Sequence, residues 1–343
     1  MPPLGFKFSL EEKYELGPAL PRSYFNILQQ WNLPHTIVFD WPEPDHIFFK
    51  EIAGMRKSTY ISILEQNSGE FWELHLKPTK ERTNILGYLC RGSDIQRDIQ
   101  SRAEALLRGR KLPLVLDLDD TLVRVVGNEP GRYVSEADAQ TVPQRVVQLK
   151  DGRRVVLADR VHEFLEWAQR LFEISVCSLG DQSYVDMVVQ VLDPHRTRIR
   201  GILYSARAEY VHIQGSSNQK RPPKDLLSLF AYCSPPLVRI ESDRSLVMPV
   251  EPLIVDDNSA MWPPEQRDNI IVVREMKNSP VWNVSLFGVV DNVLSSVYNE
   301  FFKQYDVWMQ LQKNEDTNST PPPSVVSCYK EYLRYELSMK IAT

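Results

Sequence analysis

The eight residues LDLDDTLV, Leu116 to Val123, place three carboxylates in four positions directly after an apolar run. That run, Leu112 to Leu116 with Pro113 inside it, has the Leu/Val content and length of a short strand buried in a parallel sheet. Charges do not belong inside such a strand, so it must stop where the acids begin. A second apolar run, PLIVDD (Pro252 to Asp257), stops in the same way on Asp256 and Asp257. Carboxylates gathered along one sheet edge are costly in desolvation and mutual repulsion unless a cation neutralises them. Two such strand ends therefore predict a divalent metal site, most naturally magnesium with its oxygen ligands.

The residues between and around these runs alternate in character. VVQLKDGRRVVLA (Val146 to Ala158) reads as two short strands about the tight turn Asp151-Gly152, and HEFLEWAQRLF (His162 to Phe172) as an amphipathic helix whose apolar stripe is core. EISVCSLG (Glu173 to Gly180) reads as a buried strand, QSYVDMVVQVLD (Gln182 to Asp193) as a helix, and GILYS (Gly201 to Ser205) as a strand. KDLLSLF (Lys224 to Phe230), after two prolines, reads as the start of a short helix. Alternating strands and helices predict an α/β domain with a mostly parallel sheet, whose ligands bind beyond the carboxyl ends of the strands. Residues 1–95 are a mixed region with a β-like HTIVFDW (His35 to Trp41) and a hairpin signal about Asn67-Ser68-Gly69 within Ser58 to Lys77. Ile95, Ile99, Ala103 and Leu106 then fall at helical spacing within Ser93 to Arg110.

The 343 residues are 43% hydrophobic and 25% charged, enough apolar material for an ordinary core. The formal net charge of −5 supplies no field to gather nucleic acid, although Arg108 to Lys111 (RGRK) forms a local basic patch. No stretch approaches the length of a membrane span, and the first residues, MPPLGFKFSLEEK, lack the pattern of a signal peptide. A cytoplasmic or nuclear protein without direct nucleic-acid or membrane partners is expected. The spacing of Cys90, Cys177, Cys233 and Cys328 suits neither a zinc pair nor a disulfide framework, so they read as small buried hydrophobes.

LDLDDTLV resembles the DxDxT motif of the haloacid dehalogenase superfamily of phosphotransferases. DLDDTLV, EFLEWAQRLFEISVCSLGDQSYV, LDP, KDLLSLF and IVDDNSAMW follow in the order found in phosphatases of the RNA polymerase II C-terminal domain (CTD), the family of the TFIIF-associating and small CTD phosphatases. VLSSVYNEFFKQYD (Val293 to Asp306) resembles the end of the catalytic domain in the TFIIF-associating branch. The resemblance implies a Rossmann-like haloacid dehalogenase fold with a small β-hairpin insert, beside the mixed α/β N-terminal region. It implies a phosphatase domain over 96–312, a linker over 313–324 and a C-terminal helix over 325–343.

The resemblance also implies roles. Asp117 is the nucleophile that forms an acyl phosphate, and Asp119 is the general acid and later the base for water. Ser178 binds phosphoryl oxygens, and Lys224 neutralises the phosphate. Thr121 orients the motif loop and belongs with Arg207 to the substrate-binding set, with Arg160 a further candidate phosphate contact. Mg2+ is held by Asp117, the backbone carbonyl of Asp119, and Asp257, with Asp256 in support. The implied reaction is hydrolysis of phosphoserine or phosphothreonine in a protein, the CTD of RNA polymerase II, in the nucleus; an extended heptad peptide suits a groove built from Val125 to Val156.

Four features depart from the family pattern: Ala158-Asp159 stands where an Arg-Pro precedes the EFL helix, Ser178 replaces a threonine, Pro222-Pro223 precede the lysine, and the segment after Asp306 is too short for a BRCT domain. Serine keeps the hydroxyl. Two other readings stay open, a small-metabolite phosphatase and a non-catalytic phosphopeptide-binding scaffold. The short insert weighs against the first and the intact Asp117 and Asp119 against the second.

Overall fold

The computed structural model describes residues 37–42, 59–64, 71–78, 84–129, 133–207, 222–226, 229, 250–273, 286–313 and 322–342. The chain divides into two units, Met1–Glu104 with Leu226–Pro249, and Ala105–Asp225 with Val250–Thr343. In the first, strands β1 (Ile37–Pro42), β2 (Thr59–Leu64), β3 (Phe71–Pro78) and β4 (Asn84–Arg91) form an antiparallel sheet in the order β1-β4-β3-β2. The hairpin expected over Ser58 to Lys77 is the β2–β3 pair, Thr59 opposite Leu76; its Asn67-Ser68-Gly69 turn lies outside the described residues. Helix α1 (Gly92–Arg108) follows.

The second unit is built on a parallel sheet. Its strands are β5 (Leu112–Leu116), β9 (Phe172–Ser178), β10 (Leu203–Ser205), β11 (Leu253–Asp256) and β12 (Ile270–Val272), in the order β10-β9-β5-β11-β12. The chain starts at the central strand, adds β9 and β10 on one side, then crosses to add β11 and β12 on the other. The order therefore reverses between β5 and β11, which is where a doubly wound sheet opens a ligand crevice. All five residues of β5 are buried, as expected for a strand covered on both faces. Pro113 is tolerated in this central position because its ring nitrogen has no ladder partner to lose. Asp117 N–H donates to Val255 O, so odd-numbered residues of β5 face β11, and that ladder begins only at Leu114 opposite Leu253.

Between β5 and β9 the chain builds an insert of β6 (Val123–Val125), α2 (Glu136–Thr141), β7 (Val146–Gln148) and β8 (Arg154–Leu157), and then α3 (Val161–Leu171). The expected hairpin is present as β7–β8, turning through Gly152 at φ 89°. It is enlarged to a three-stranded antiparallel sheet, β6-β8-β7. The extra strand arises because the DLDDT loop curls back on itself: the amides of Thr121, Leu122 and Val123 all donate to Leu118 O, with Asp120 left-handed at φ 60°. Helix α3 buries Val161, Phe164, Leu165 and Ala168. Helix α4 (Gln182–Leu192) buries Tyr184, Val185, Val188, Val189 and Leu192.

The tail adds α5 (Asp291–Lys313) and α6 (Val325–Ala342). Tyr298 of α5 meets Phe172 edge-on, ring centroids 5.9 Å apart. Helix α6 packs on the unit of the parallel sheet: Tyr329 donates to Ile270 O, and Lys330 pairs with Asp268 at 2.6 Å. The basic patch is used internally, with Arg110 paired to Asp306 and Lys111 donating to Gln169 O. Cys177 and Cys328 are free and buried; Cys233 lies outside the described residues. Among the described residues no helix is long and apolar enough to cross a membrane.

Candidate active site

Strand β5 delivers Asp117 and β11 delivers Asp256 to the sheet edge, side by side at the reversal point of the strand order. Both are buried, Asp117 at 4% exposure. Lys224 lies between them, 2% exposed, its Nζ 2.9 Å from Asp117 Oδ1 and 2.6 Å from Asp256 Oδ2. An ammonium taken this far from water is retained only by charge partners of this kind. Burial works against the Lys224 charge, but the two carboxylates outweigh it and hold its pKa above the ordinary lysine value.

Asp256 is satisfied at both oxygens. Oδ1 accepts from Asn258 N–H, and Oδ2 accepts from Lys224 and from the indole of the fully buried Trp262 at 2.9 Å. The backbone of Lys224 is pinned to the same loop by its N–H to Met261 O. Neither Lys224 nor Asp225 is helical; the rest of the helix expected over Lys224 to Phe230 falls largely outside the described residues.

Carboxylate oxygens of Asp117, Asp256 and Asp257 lie within 4.8 Å of one another. With one lysine against three acids the cluster carries surplus negative charge, and its hard oxygen donors are those magnesium takes. Burial above all raises the Asp117 carboxyl well above the usual carboxylate range; Lys224 opposes this, while Asp256 and Asp119 add to it. The residues thus fit a divalent cation: Asp117 and Asp257 would hold it, with Asp256 beside them.

Asp119 lies beyond the turn and faces a separate hollow. Its Oδ2 accepts from Ser178 Oγ at 3.3 Å and its Oδ1 from Tyr184 at 2.6 Å. Burial raises its pKa too, against these hydrogen bonds. The hollow, about 390 Å³, is lined by Asp119, Arg124, Tyr133, Arg153, Tyr184 and Arg207 among others. The Val125 to Val156 insert thus supplies part of the wall, and Arg207 is brought to it. Thr121, expected in the substrate-binding set, is fully buried and donates to Asp117 Oδ2 at 3.4 Å. Arg160 is not on the hollow; it pairs with Glu163. Sequence reasoning assigned no role to Tyr184, Arg153 or Trp262. Asp181, as N-cap of α4, fixes Tyr184 on the first helical turn facing the strand ends, a signal readable from D-x-x-Y.

Residues 112–280 match the NLI interacting factor-like phosphatase family. No curated protein sequence matches the chain. Two of the solved structures similar to it are the following. One is the fission yeast RNA polymerase II CTD phosphatase Fcp1 in a variant bound to beryllium fluoride, 18% identical over 55% of this chain and 46% of that one, TM-score 0.34. The other is Fcp1 described as an essential RNA polymerase II CTD phosphatase, 16% identical over 64% of this chain and 58% of that one, TM-score 0.35. The chain spans about half the length of the solved structures it matches.

Proposed function

We propose, from the match of residues 112–280 to the NLI interacting factor-like phosphatase family, that this chain hydrolyses phosphoserine or phosphothreonine in a protein through an aspartyl-phosphate. The observation that carries the reading is Asp117, a buried carboxylate at the end of the central strand whose charge is steadied by the shared ammonium of Lys224. A carboxylate in that setting serves as a nucleophile toward phosphorus.

One Asp117 oxygen attacks phosphorus while the bond to the serine oxygen breaks, and Asp119 gives its proton to that leaving oxygen. Asp119 then takes a proton from water as the water oxygen attacks phosphorus, which releases phosphate and restores the Asp117 carboxylate. Lys224 offsets the charge gathered around Asp117, and Ser178 Oγ offers a hydroxyl to the phosphoryl oxygens. Magnesium, held by Asp117, Asp257 and the Asp119 carbonyl with Asp256 in support, supplies charge neutralisation of the phosphoryl group when bound.

The substrate that the motif order implies is the phosphorylated CTD of RNA polymerase II, and a nuclear location goes with it. A hollow bounded by Tyr133 supports a peptide substrate, since an aromatic wall suits extended, proline-rich chains. Among the described residues the insert is three short strands and one short helix, small for a cap that closes over a metabolite. The test is phosphate release from phosphorylated CTD heptad peptides with magnesium, by the native chain, Asp117→Asn and Asp119→Asn. Release by the native chain alone, with hydroxylamine during turnover converting Asp117 to a hydroxamate, supports the reading; release undiminished in Asp117→Asn refutes the nucleophile.

A further inference from the structure

Tyr184 is held more tightly than its place in the core demands. Its backbone N–H donates to the Asp181 cap of α4 at 2.8 Å. Its ring lies so close to residue 180 that a Cβ there would collide with Tyr184 Cδ1, so only glycine leaves it room. The Arg153 guanidinium sits over the ring, 4.5 Å from its centroid, an arrangement favoured by the ring quadrupole. The phenol hydroxyl is thereby delivered to Asp119 Oδ1 at 2.6 Å.

Arg153 is itself anchored at the tip of the β7–β8 hairpin, its Nε 2.6 Å from Asp151 Oδ2. A chain of contacts thus runs from the insert to the leaving-group acid: Asp151, Arg153, Tyr184, Asp119. The other Asp119 oxygen is held by Ser178, so both are fixed and the carboxyl plane has one orientation relative to Asp117. The arginines of the hollow do not make it an anion pocket, because Asp119, Asp120 and Asp181 balance Arg124, Arg153 and Arg207.

A misoriented acid harms a reaction in proportion to how much the leaving oxygen needs its proton. We propose that Tyr184 is a positioning residue for Asp119 and that Arg153 on the insert holds Tyr184 in place, so that the insert governs turnover of phosphate esters with poor leaving groups. This rests on Asp119 being the acid, as read above. Serine is a far poorer leaving group than an activated phenol, so the device bears on protein phosphoesters in particular.

The test compares p-nitrophenyl phosphate with phenyl phosphate, the poorer leaving group, on the full chain. Tyr184→Phe is expected to lose about tenfold more kcat/KM on phenyl phosphate than on p-nitrophenyl phosphate, because kcat/KM reports the step that expels the leaving group whereas both substrates share the aspartyl-phosphate hydrolysed next; that is a fraction of the roughly 10²- to 10⁴-fold a general acid contributes. Arg153→Ala shows the same bias more weakly, and Arg153→Lys, which keeps a cation over the ring, shows none. Arg153 is partly exposed, so its replacement tests the idea even where Tyr184→Phe fails to fold. Equal losses on both substrates, or none, overturn the proposal. Asp119→Asn separates the two readings: if it lacks the leaving-group bias, the acid assignment falls; if it has the bias and the Tyr184 and Arg153 variants do not, the positioning role alone falls.

Discussion

Replacing Lys224 by methionine removes the one positive charge between Asp117 and Asp256 while keeping nearly the same volume. At 2.9 and 2.6 Å, each pair has a gross attraction of about 6 kcal/mol at an effective dielectric of about 20. Most of that offsets desolvation of the ions. What remains after the cation is deleted is two buried carboxylates without their partner, and breaking a buried pair in this way costs about 3–5 kcal/mol. The loss depends on pH with a definite sign. The folded Asp117 carboxyl titrates above its unfolded value of 3.8, so the fold binds its proton more tightly than the unfolded chain does. Stability therefore falls as pH rises from about 4 through the folded pKa. Lys224 opposes that tightening, and without it each further tenfold gain in proton affinity removes about 1.4 kcal/mol above the folded pKa. Urea unfolding at pH 5 and pH 8 is the assay. Lys224→Met should unfold about 2 M earlier than the native chain at pH 8, for an m of about 2 kcal/mol/M, and by clearly less at pH 5. Equal midpoints at pH 8, or a larger loss at pH 5, would refute the charge-sharing account.

Magnesium at a hundred times its dissociation constant should stabilise the native chain by about 2.7 kcal/mol, seen as a raised Tm, and Asp257→Asn should lose most of that rise; an unchanged Tm in the native chain counts against the metal site. Asp193, buried at the end of α4, accepts from the amides of Thr197, Arg198 and Ile199, bonds that outweigh its burial and hold its pKa below the usual range. Asp193→Ala should cost about 2–3 kcal/mol at pH 7, and in the native chain this contribution fades as pH falls below about 4 through the depressed pKa, which acid titration of the two proteins would show. A Cβ at residue 201 would collide with Ser175 Oγ, so Gly201→Ala should lower stability by about 1–3 kcal/mol in chemical denaturation.

Much of the fold was legible because it is written in short-range pattern. Apolar runs that stop on acids, a stripe at Phe164, Leu165 and Ala168, and a turn at Asp151-Gly152 are each contained within a dozen residues, and each became the element expected. The three-stranded insert was underread, since β6 exists only because the motif loop folds back onto Leu118 O, a backbone event without side-chain signature. Thr121 shows the same gap. A threonine two residues after Asp119 reads equally well as facing substrate or facing inward, and the curl of the loop decides for inward.

The sequence by itself determined that acids would end buried strands and that those strands would belong to a parallel sheet, because desolvation forbids charge within them and alternating periodicity specifies the layers. Only the tertiary structure decided which acids meet and what holds them. Strand order brings β11 beside β5, Lys224 reaches Asp256 across 32 residues of chain, and Tyr184 reaches Asp119 across 65. Such contacts follow from how whole elements pack, and no local spacing encodes them.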